Sequence, residues 1–202
     1  MTELDETNTE QLLQRARNGN TDAVDQLFER HRRRLRGMVQ VRMDPRLMSR
    51  LDPSDVVQET LVVAHKRFDD FLENRPIPFY PWLRRMAWNH LVDLHRRHVG
   101  SQKRSVNREV QFGISDNSAL LLAGQLSSSS MSPSQKLMEK ELKQRVMETL
   151  DAMPEDQREI IVMRHLEGMS IDEIAAALDM PKGTVMSRHF RGLQAMRRIL
   201  DD

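Results

Sequence analysis

Cysteine does not occur anywhere in the 202 residues, so disulfides and thiolate metal sites are excluded at the outset. Aromatic residues make up only 4%, and glycine and proline number 8 each. Strand signals are missing apart from an ambiguous VQFGI at 110–114. No apolar run approaches the roughly 20 residues that cross a bilayer. The start, MTELDETNTEQ, is acidic and polar, the reverse of a signal peptide. These absences point to a cytoplasmic protein without membrane insertion.

What is present is charge and aliphatic bulk. Charged residues are 30% and apolar residues 39%, with 14 Met among them. That mixture suits small helical bundles better than one large core. Separate lobes of roughly 70–80 residues are only marginally stable, so a partner is expected to add to their rigidity. The net charge of +1 averages unlike parts. Residues 139–179 hold eleven acids against five Lys or Arg, whereas Met180 to Leu200 has five basic residues and no acid. Residues 82–108 carry seven basic side chains and the single acid Asp93. Two separate positive surfaces are therefore expected.

Along the chain the first half predicts helix after helix. A short amphipathic pattern through Leu12, Leu13 and Ala16 stops near Gly19. Thr21 or Asp22 caps a longer helix carrying Val24, Leu27, Phe28, Leu35, Met38 and Val39. Asp52-Pro53-Ser54-Asp55 is a start signal, with a capping side chain, Pro at the first position and acid in the first turn. The helix it opens puts Val56, Val57, Leu61, Ala64 and Phe68 on or near one face. Residues 69–81 contain Pro76, Pro78 and Pro81 and read as a loop. Trp82 to His98 returns to helical spacing through Leu83, Met86, Ala87, Leu91 and Leu94.

Residues 99–134 hold Gly100, Gly113, Gly124, the run Ser127 to Ser130, and Pro133. They read as a linker with at most a short helix at SALLLAGQL. The serine run is either a spacer or a phosphorylation target. A second lobe opens near Ser134 with a helix through Leu137, Leu142, Val146, Met147 and Leu150. The next helix begins at Pro154, and Gly168 offers its left-handed stop. The fold expected is all-α: two small helical domains, 10–98 and 135–200, joined by a flexible linker at 99–134.

In the second lobe, SIDEIAAALDMPKGTVMSRHFRGL (170–193) has the parts of a helix-turn-helix. Ser170 and Glu173 form a capping box. Ile174, Ala175 and Leu178 give one facing side, Met180 plugs the turn, and Val185 gives the other side. Pro181 starts the second helix, where its missing N–H costs nothing. Lys182, Thr184, Ser187, Arg188 and Arg191 are then expected to face outward. Arg and Lys pair with phosphates or guanine edges, and Ser and Thr with either, so this face suits a major groove. The plain alternative is a solvated helix closing a small bundle.

With its lead-in, MPEDQREIIVMRHLEG, this stretch resembles region 4 of bacterial RNA polymerase sigma factors, most closely the extracytoplasmic function (ECF) group of the sigma-70 family. Pro154, Arg158, Glu159, Glu167, Gly168, Ser170, Glu173, Ile174, Ala175, Gly183, Thr184, Val185, Ser187 and Arg188 carry the match. Upstream, DQLFERHRRRLRGMV, DPSDVVQETLVVAHKRFDDF and FYPWLRRMAWNHLVDLHRRH resemble successive helices of sigma region 2. The resemblance implies a protein that binds core RNA polymerase and directs it to promoters for transcription initiation. Asp55, Gln58 and Glu59 fall where sigma factors meet the clamp coiled coil of the largest polymerase subunit, and the β-flap region is implied as a further polymerase contact. Arg75, Phe79, Tyr80, Arg84, Arg85, Asn89, Arg96 and Arg97 fall where members engage and melt the −10 element. The chemistry fits, since unstacked bases need aromatic surfaces and the backbone needs cations. Trp88 reads better as core. Lys182, Thr184, Ser187, Arg188 and Arg191 fall where members read the −35 element. An anti-sigma partner is common in the group. No cofactor or metal is implied, and catalysis belongs to the polymerase.

Several positions depart from the family pattern. Asp179 stands where many members have Gly, Met186 where the residue is often basic, and His189 where it is often apolar. The loop RPIPFYP is also unusual. Two other classes remain to be weighed. A stand-alone helix-turn-helix regulator would bind a palindrome without polymerase, but it has no use for the D-x-x-Q-E helix at Asp55. A metal centre would draw on His90, Asp93, His95 and His98, whose helical angles converge poorly. No nucleophile elbow or phosphate-cradling Gly loop is present.

Overall fold

The computed structural model describes residues 3–98, 122 and 136–201. The chain divides into two compact units, Met1–Phe112 and Gly113–Asp202. Every regular element among the described residues is helical. The expected linker at 99–134 lies outside the described residues except for Leu122, as do the short helix expected around it and the VQFGI stretch.

The first unit is built around α2 (Thr21–Arg42), which packs against α1 (Glu3–Arg17), α4 (Pro53–Lys66) and α6 (Phe79–His98). Its inner face is the predicted one: Leu27, Phe28, Leu35, Met38 and Val39 are buried. The cap is Asn20 rather than Thr21 or Asp22; its side chain accepts from the Ala23 N–H at 2.8 Å. Gly19 just before it, at φ 84°, makes the reversal that lets α1 fold back. A one-turn helix, α3 (Pro45–Met48), is not anticipated by the sequence pattern; Asp44 caps it, and Leu47 anchors it in the core. The Arg46 guanidinium on Asp44, ahead of other causes, lowers that carboxyl to about 2.

Two expectations need correction between α4 and α6. The pattern through Phe68 is not one helix: α4 ends at Lys66, and α5 (Phe68–Asn74) starts afresh with Phe68 and Phe71 buried. The stretch 69–81 is accordingly mostly helix, and only residues 75–78 connect α5 to α6. Pro76 and Pro78 do break the helix. Pro81 does not, because it is the third residue of α6, where a backbone N–H would have no intrahelical acceptor anyway.

The second unit comprises α7 (Lys136–Ala152), α8 (Glu155–Ile161) with its π-helical continuation Val162–Leu166, α9 (Ile171–Leu178) and α10 (Lys182–Asp201). Its core is Val146, Leu150, Ile160, Ile161, Val162, Met163, Ile174, Val185 and Met196. The side chains of Leu137 and Leu142 lie outside those described. Gly168 adopts φ 66°, the predicted left-handed stop. Gly192 matters for its lack of a side chain instead. A Cβ there would stand 2.7 Å from Ile161 Cγ1, so any side chain at this crossing of α10 and α8 would force Ile161 or the helix to shift.

Candidate nucleic-acid and polymerase interfaces

The capping box at the head of α9 is complete. Ser170 Oγ accepts from the Glu173 N–H at 3.1 Å, and the Glu173 carboxylate accepts from the Ser170 N–H at 2.8 Å. Asp179 closes α9 at φ 51°, ψ 48°, the left-handed conformation that Asp tolerates better than most residues. Ile174 and Val185 are fully buried where the two helices meet. Helix α10 presents Lys182, Ser187 and Arg191 to solvent, with Thr184 half-buried.

Arg188 is the exception. Its guanidinium lies 2.8 Å from the Asp156 carboxylate and 3.1 Å from Met180 Sδ, so it turns toward α8 and the turn rather than straight outward. Lys182 pairs with Asp172 at 2.7 Å, and Arg191 donates to Ser187 Oγ at 3.0 Å. Met186 and Phe190, one turn apart on the same helix, are 56% and 59% exposed. Sequence motifs do not single out these two as contacts, although their spacing away from Val185 and Met196 is the available signal.

On α4, Asp52 accepts from the Ser54 N–H at 2.7 Å, and Pro53 fills the first position. With Val56, Val57, Leu61 and Ala64 turned inward, helical geometry sends Asp55, Gln58, Glu59 and Val62 outward together. Glu59 leans toward His90 Nε2 at 3.1 Å. The side chains of Asp55 and Gln58 have no partner among the described residues. Val62 and Val63 are 51% and 38% exposed, apolar surface that no internal packing explains.

The third group splits. Arg85, Asn89, Arg96 and Arg97 are exposed, the first three along one stripe of α6. Phe79 and Tyr80, expected to meet unstacked bases, are instead core residues, each 2% exposed. Phe79 packs among Phe28, Phe68, Phe71 and Trp82 at ring separations of 5.4, 6.1, 5.7 and 5.7 Å. Arg34 covers the Tyr80 ring, 3.5 Å from its centroid. Arg84 is also buried, near the half-buried Trp88. The reason is the start of α6: once the helix begins at Phe79, that residue heads the inward stripe of Leu83 and Ala87, and Tyr80 and Arg84 flank it. Arg75 sits at the end of α5 at φ 39°, with its guanidinium on Glu10 of α1.

His90 and His95 point to different carboxylates, Glu59 and Asp44. Among the described residues no group of three or more His, Cys, Asp or Glu could hold a metal ion, and no helix is long and apolar enough to cross a membrane.

Two family models fall on these two units: Sigma-70 region 2 on residues 27–100 and Sigma-70 region 4 on residues 143–196. The chain is 32% identical to the ECF RNA polymerase sigma-E factor of Escherichia coli over 92% of its own length and 90% of the relative's. The chain belongs to the ECF sigma factors. The sigma-E factor of Salmonella typhimurium is equally similar, and that of Haemophilus influenzae is 30% identical over 89% of this chain. Among solved structures, that of CnrH in complex with the cytosolic domain of CnrY matches with a TM-score of 0.53 and 27% identity, covering 98% of this chain and 97% of that one. As a sigma factor the protein directs RNA polymerase to promoters, and the family's members are regulatory DNA-binding proteins.

This sigma factor also has a paired histidine in region 4. His189 of α10 stacks on His165 of the π turn, with Nε2 atoms 3.0 Å apart. Burial, then His189 and Arg164, push His165 down to about 4; burial and Arg164 lower His189. The folded state therefore disfavours a proton on either ring, whereas the unfolded chain binds protons near pH 6.5. Their contribution is present above that value and is lost as pH falls toward about 4. Region 4 is expected to melt at lower temperature at about pH 4.5 than at about pH 7. His165→Gln should flatten that dependence in far-UV circular dichroism melts; an unchanged pH dependence would assign it elsewhere.

Proposed function

We propose that this sigma factor, working in the cytoplasm, docks on core polymerase through the α4 face and reads promoters with two separate cationic surfaces. The domains are taken as 10–98 for region 2, 99–134 for the linker and 135–200 for region 4. Asp55, Gln58 and Glu59, extended by Val62, meet the clamp coiled coil of the largest subunit, while region 4 meets the β-flap region. The observation that carries this is the outward face of α4, where Asp55 and Gln58, without side-chain partners among the described residues, adjoin exposed valine. Polar side chains set directly against an exposed apolar patch are the composition of a protein interface.

The −10 element is engaged by Arg75, Arg85, Asn89, Arg96 and Arg97, with Phe79, Tyr80 and Arg84 supporting from inside. The −35 element is read by Lys182, Thr184, Ser187 and Arg191, and Arg188 joins when its pair with Asp156 opens. Met186 and Phe190 add apolar contact suited to thymine methyl groups. Catalysis belongs to the polymerase. An anti-sigma partner belongs to the same reading, supported by similarity to CnrH, solved with the cytosolic domain of CnrY.

The test is run-off transcription with purified core polymerase and pooled promoter fragments. New transcripts at defined starts are expected. Gln58→Ala should weaken polymerase association by roughly tenfold while sparing binding to −35 duplex, as truncation at an interface centre does. Arg191→Ala should do the reverse, losing about 1–3 kcal/mol on the duplex. Equal losses in both assays from either change would sink the division of labour.

A further inference from the structure

The first helix has a feature that the family match does not cover, since the region 2 model begins at residue 27. Two side chains of α1, two turns apart, reach the same end of α5. Arg17 Nη2 donates to the Leu72 carbonyl at 2.6 Å. Glu10 takes both terminal nitrogens of the Arg75 guanidinium; the Nη1–Oε1 bond is 2.9 Å. The partners are 55 and 65 residues apart in sequence. Helix α1 is itself anchored, through buried Leu12, Leu13 and Ala16.

What these contacts hold is a strained point. Arg75 adopts φ 39°, ψ 57° at the end of α5, a left-handed conformation in a residue that carries a Cβ. Its N–H bonds the Phe71 carbonyl at 2.8 Å, so the same residue both ends α5 and sets the direction of the 75–78 connection. From there Pro76 and Pro78 limit the backbone until α6 begins. A residue in an unfavourable conformation persists only where its surroundings over-determine it. Here the surroundings are Glu10 and Arg17.

We propose that α1 is a brace for the connection 75–78, with Glu10 and Arg17 as positioning residues that aim Arg75 at the −10 strand. The inference rests on the reading of Arg75 as a −10 contact. A guanidinium has five N–H donors, and a carboxylate bound end-on across the two terminal nitrogens occupies two, so an oriented Arg75 keeps donors for a phosphate. Glu10 thereby fixes the plane in which those donors point, and Arg17 fixes the helix end that carries them.

The experiment uses full-length Glu10→Gln, Arg17→Met, Arg75→Gly and the Glu10→Gln/Arg75→Gly double variant. Hydrogen exchange of the 72–80 segment is measured in each, together with binding of the assembled holoenzyme to a single-stranded −10 oligonucleotide from a promoter the protein selects. Glu10→Gln should speed exchange in that segment alone and weaken oligonucleotide binding about three- to tenfold, the scale expected of one bidentate Arg–carboxylate pair. Arg17→Met should act in the same direction. Polymerase affinity and −35 duplex binding should not move, which separates positioning from a loss of fold. In the Arg75→Gly background, Glu10→Gln should add nothing. Unchanged exchange, or faster exchange with unchanged binding, overturns the brace. Tighter binding by Glu10→Gln also overturns it, because Glu10 would then be competing with the strand. If Arg75→Gly leaves −10 binding intact, the underlying assignment of Arg75 fails, and the brace fails with it.

Discussion

Phe79→Ala is expected to destabilise the first unit by about 3–5 kcal/mol, the cost of removing a fully packed aromatic ring from a core. Four aromatic neighbours and the buried His31 surround that ring. They come from α2, α5 and α6, so the cavity would open where three elements meet. Such a loss is a large share of the stability of a small domain. Both tryptophans of the chain, Trp82 and Trp88, lie in this unit. Their fluorescence during urea unfolding therefore reports it without interference from the second. A base-stacking Phe79 would give the opposite pattern, with an unchanged urea midpoint and weaker −10 binding alone. Phe79→Leu, which keeps more of the volume, should fall between wild type and Phe79→Ala.

Gly192→Val should be the most damaging single change in the second unit, at about 3 kcal/mol or more, by forcing overpacking into a closed core. Gly192→Ala separates the terms. Alanine gains about 1 kcal/mol of helix propensity over glycine. Against this, its Cβ meets Ile161 Cγ1 at 2.7 Å and Cδ1 at 3.0 Å, and Ile161 is itself fully buried. Overpacking of about 1–3 kcal/mol set against that gain leaves a net loss of up to about 2 kcal/mol. Far-UV circular dichroism would follow the second transition. Ile161→Ala removes the obstructing carbons, so the double variant Gly192→Ala/Ile161→Ala should lose less than the two single losses added. Strict additivity would show that α10 shifts instead of clashing.

These two residues also mark how far the sequence can be read. Helix periodicity and end signals place α2, α4, α9 and α10 well, because their apolar stripes are long and their caps lie in the local sequence. Ser170 with Glu173 and Asp52 with Pro53 are examples. The burial of Phe79 and Tyr80 escapes the sequence for one reason: Pro81 reads as a barrier, which starts α6 three residues late. That displacement turns the first inward residue of a helix into a loop aromatic. Arg84, inside the predicted helix, is missed because its charge reads as exposure although it adjoins the inward Leu83. Gly192 and the Arg75–Glu10 pair are illegible for another reason. Both depend on elements that meet only after folding, and no local spacing encodes such a meeting. Arg188 falls between these cases, since its outward angle is a fair inference and only Asp156, from a different helix, redirects it.

The internal ion pairs of region 4 bear on how its DNA affinity would respond to salt. A cation that neutralises a phosphate releases a condensed counterion, giving a slope of about −0.9 in log K against log salt for each one. Lys182 and Arg188 already face Asp172 and Asp156. Each must exchange a carboxylate for a phosphate, and the freed carboxylate then attracts cations from solution. Arg191, which donates to the Ser187 hydroxyl and pairs with no carboxylate among the described residues, has no such exchange to make. Under the proposed −35 reading, the measured slope therefore falls short of the number of basic residues facing the groove. The shortfall counts the internal pairs that open on binding.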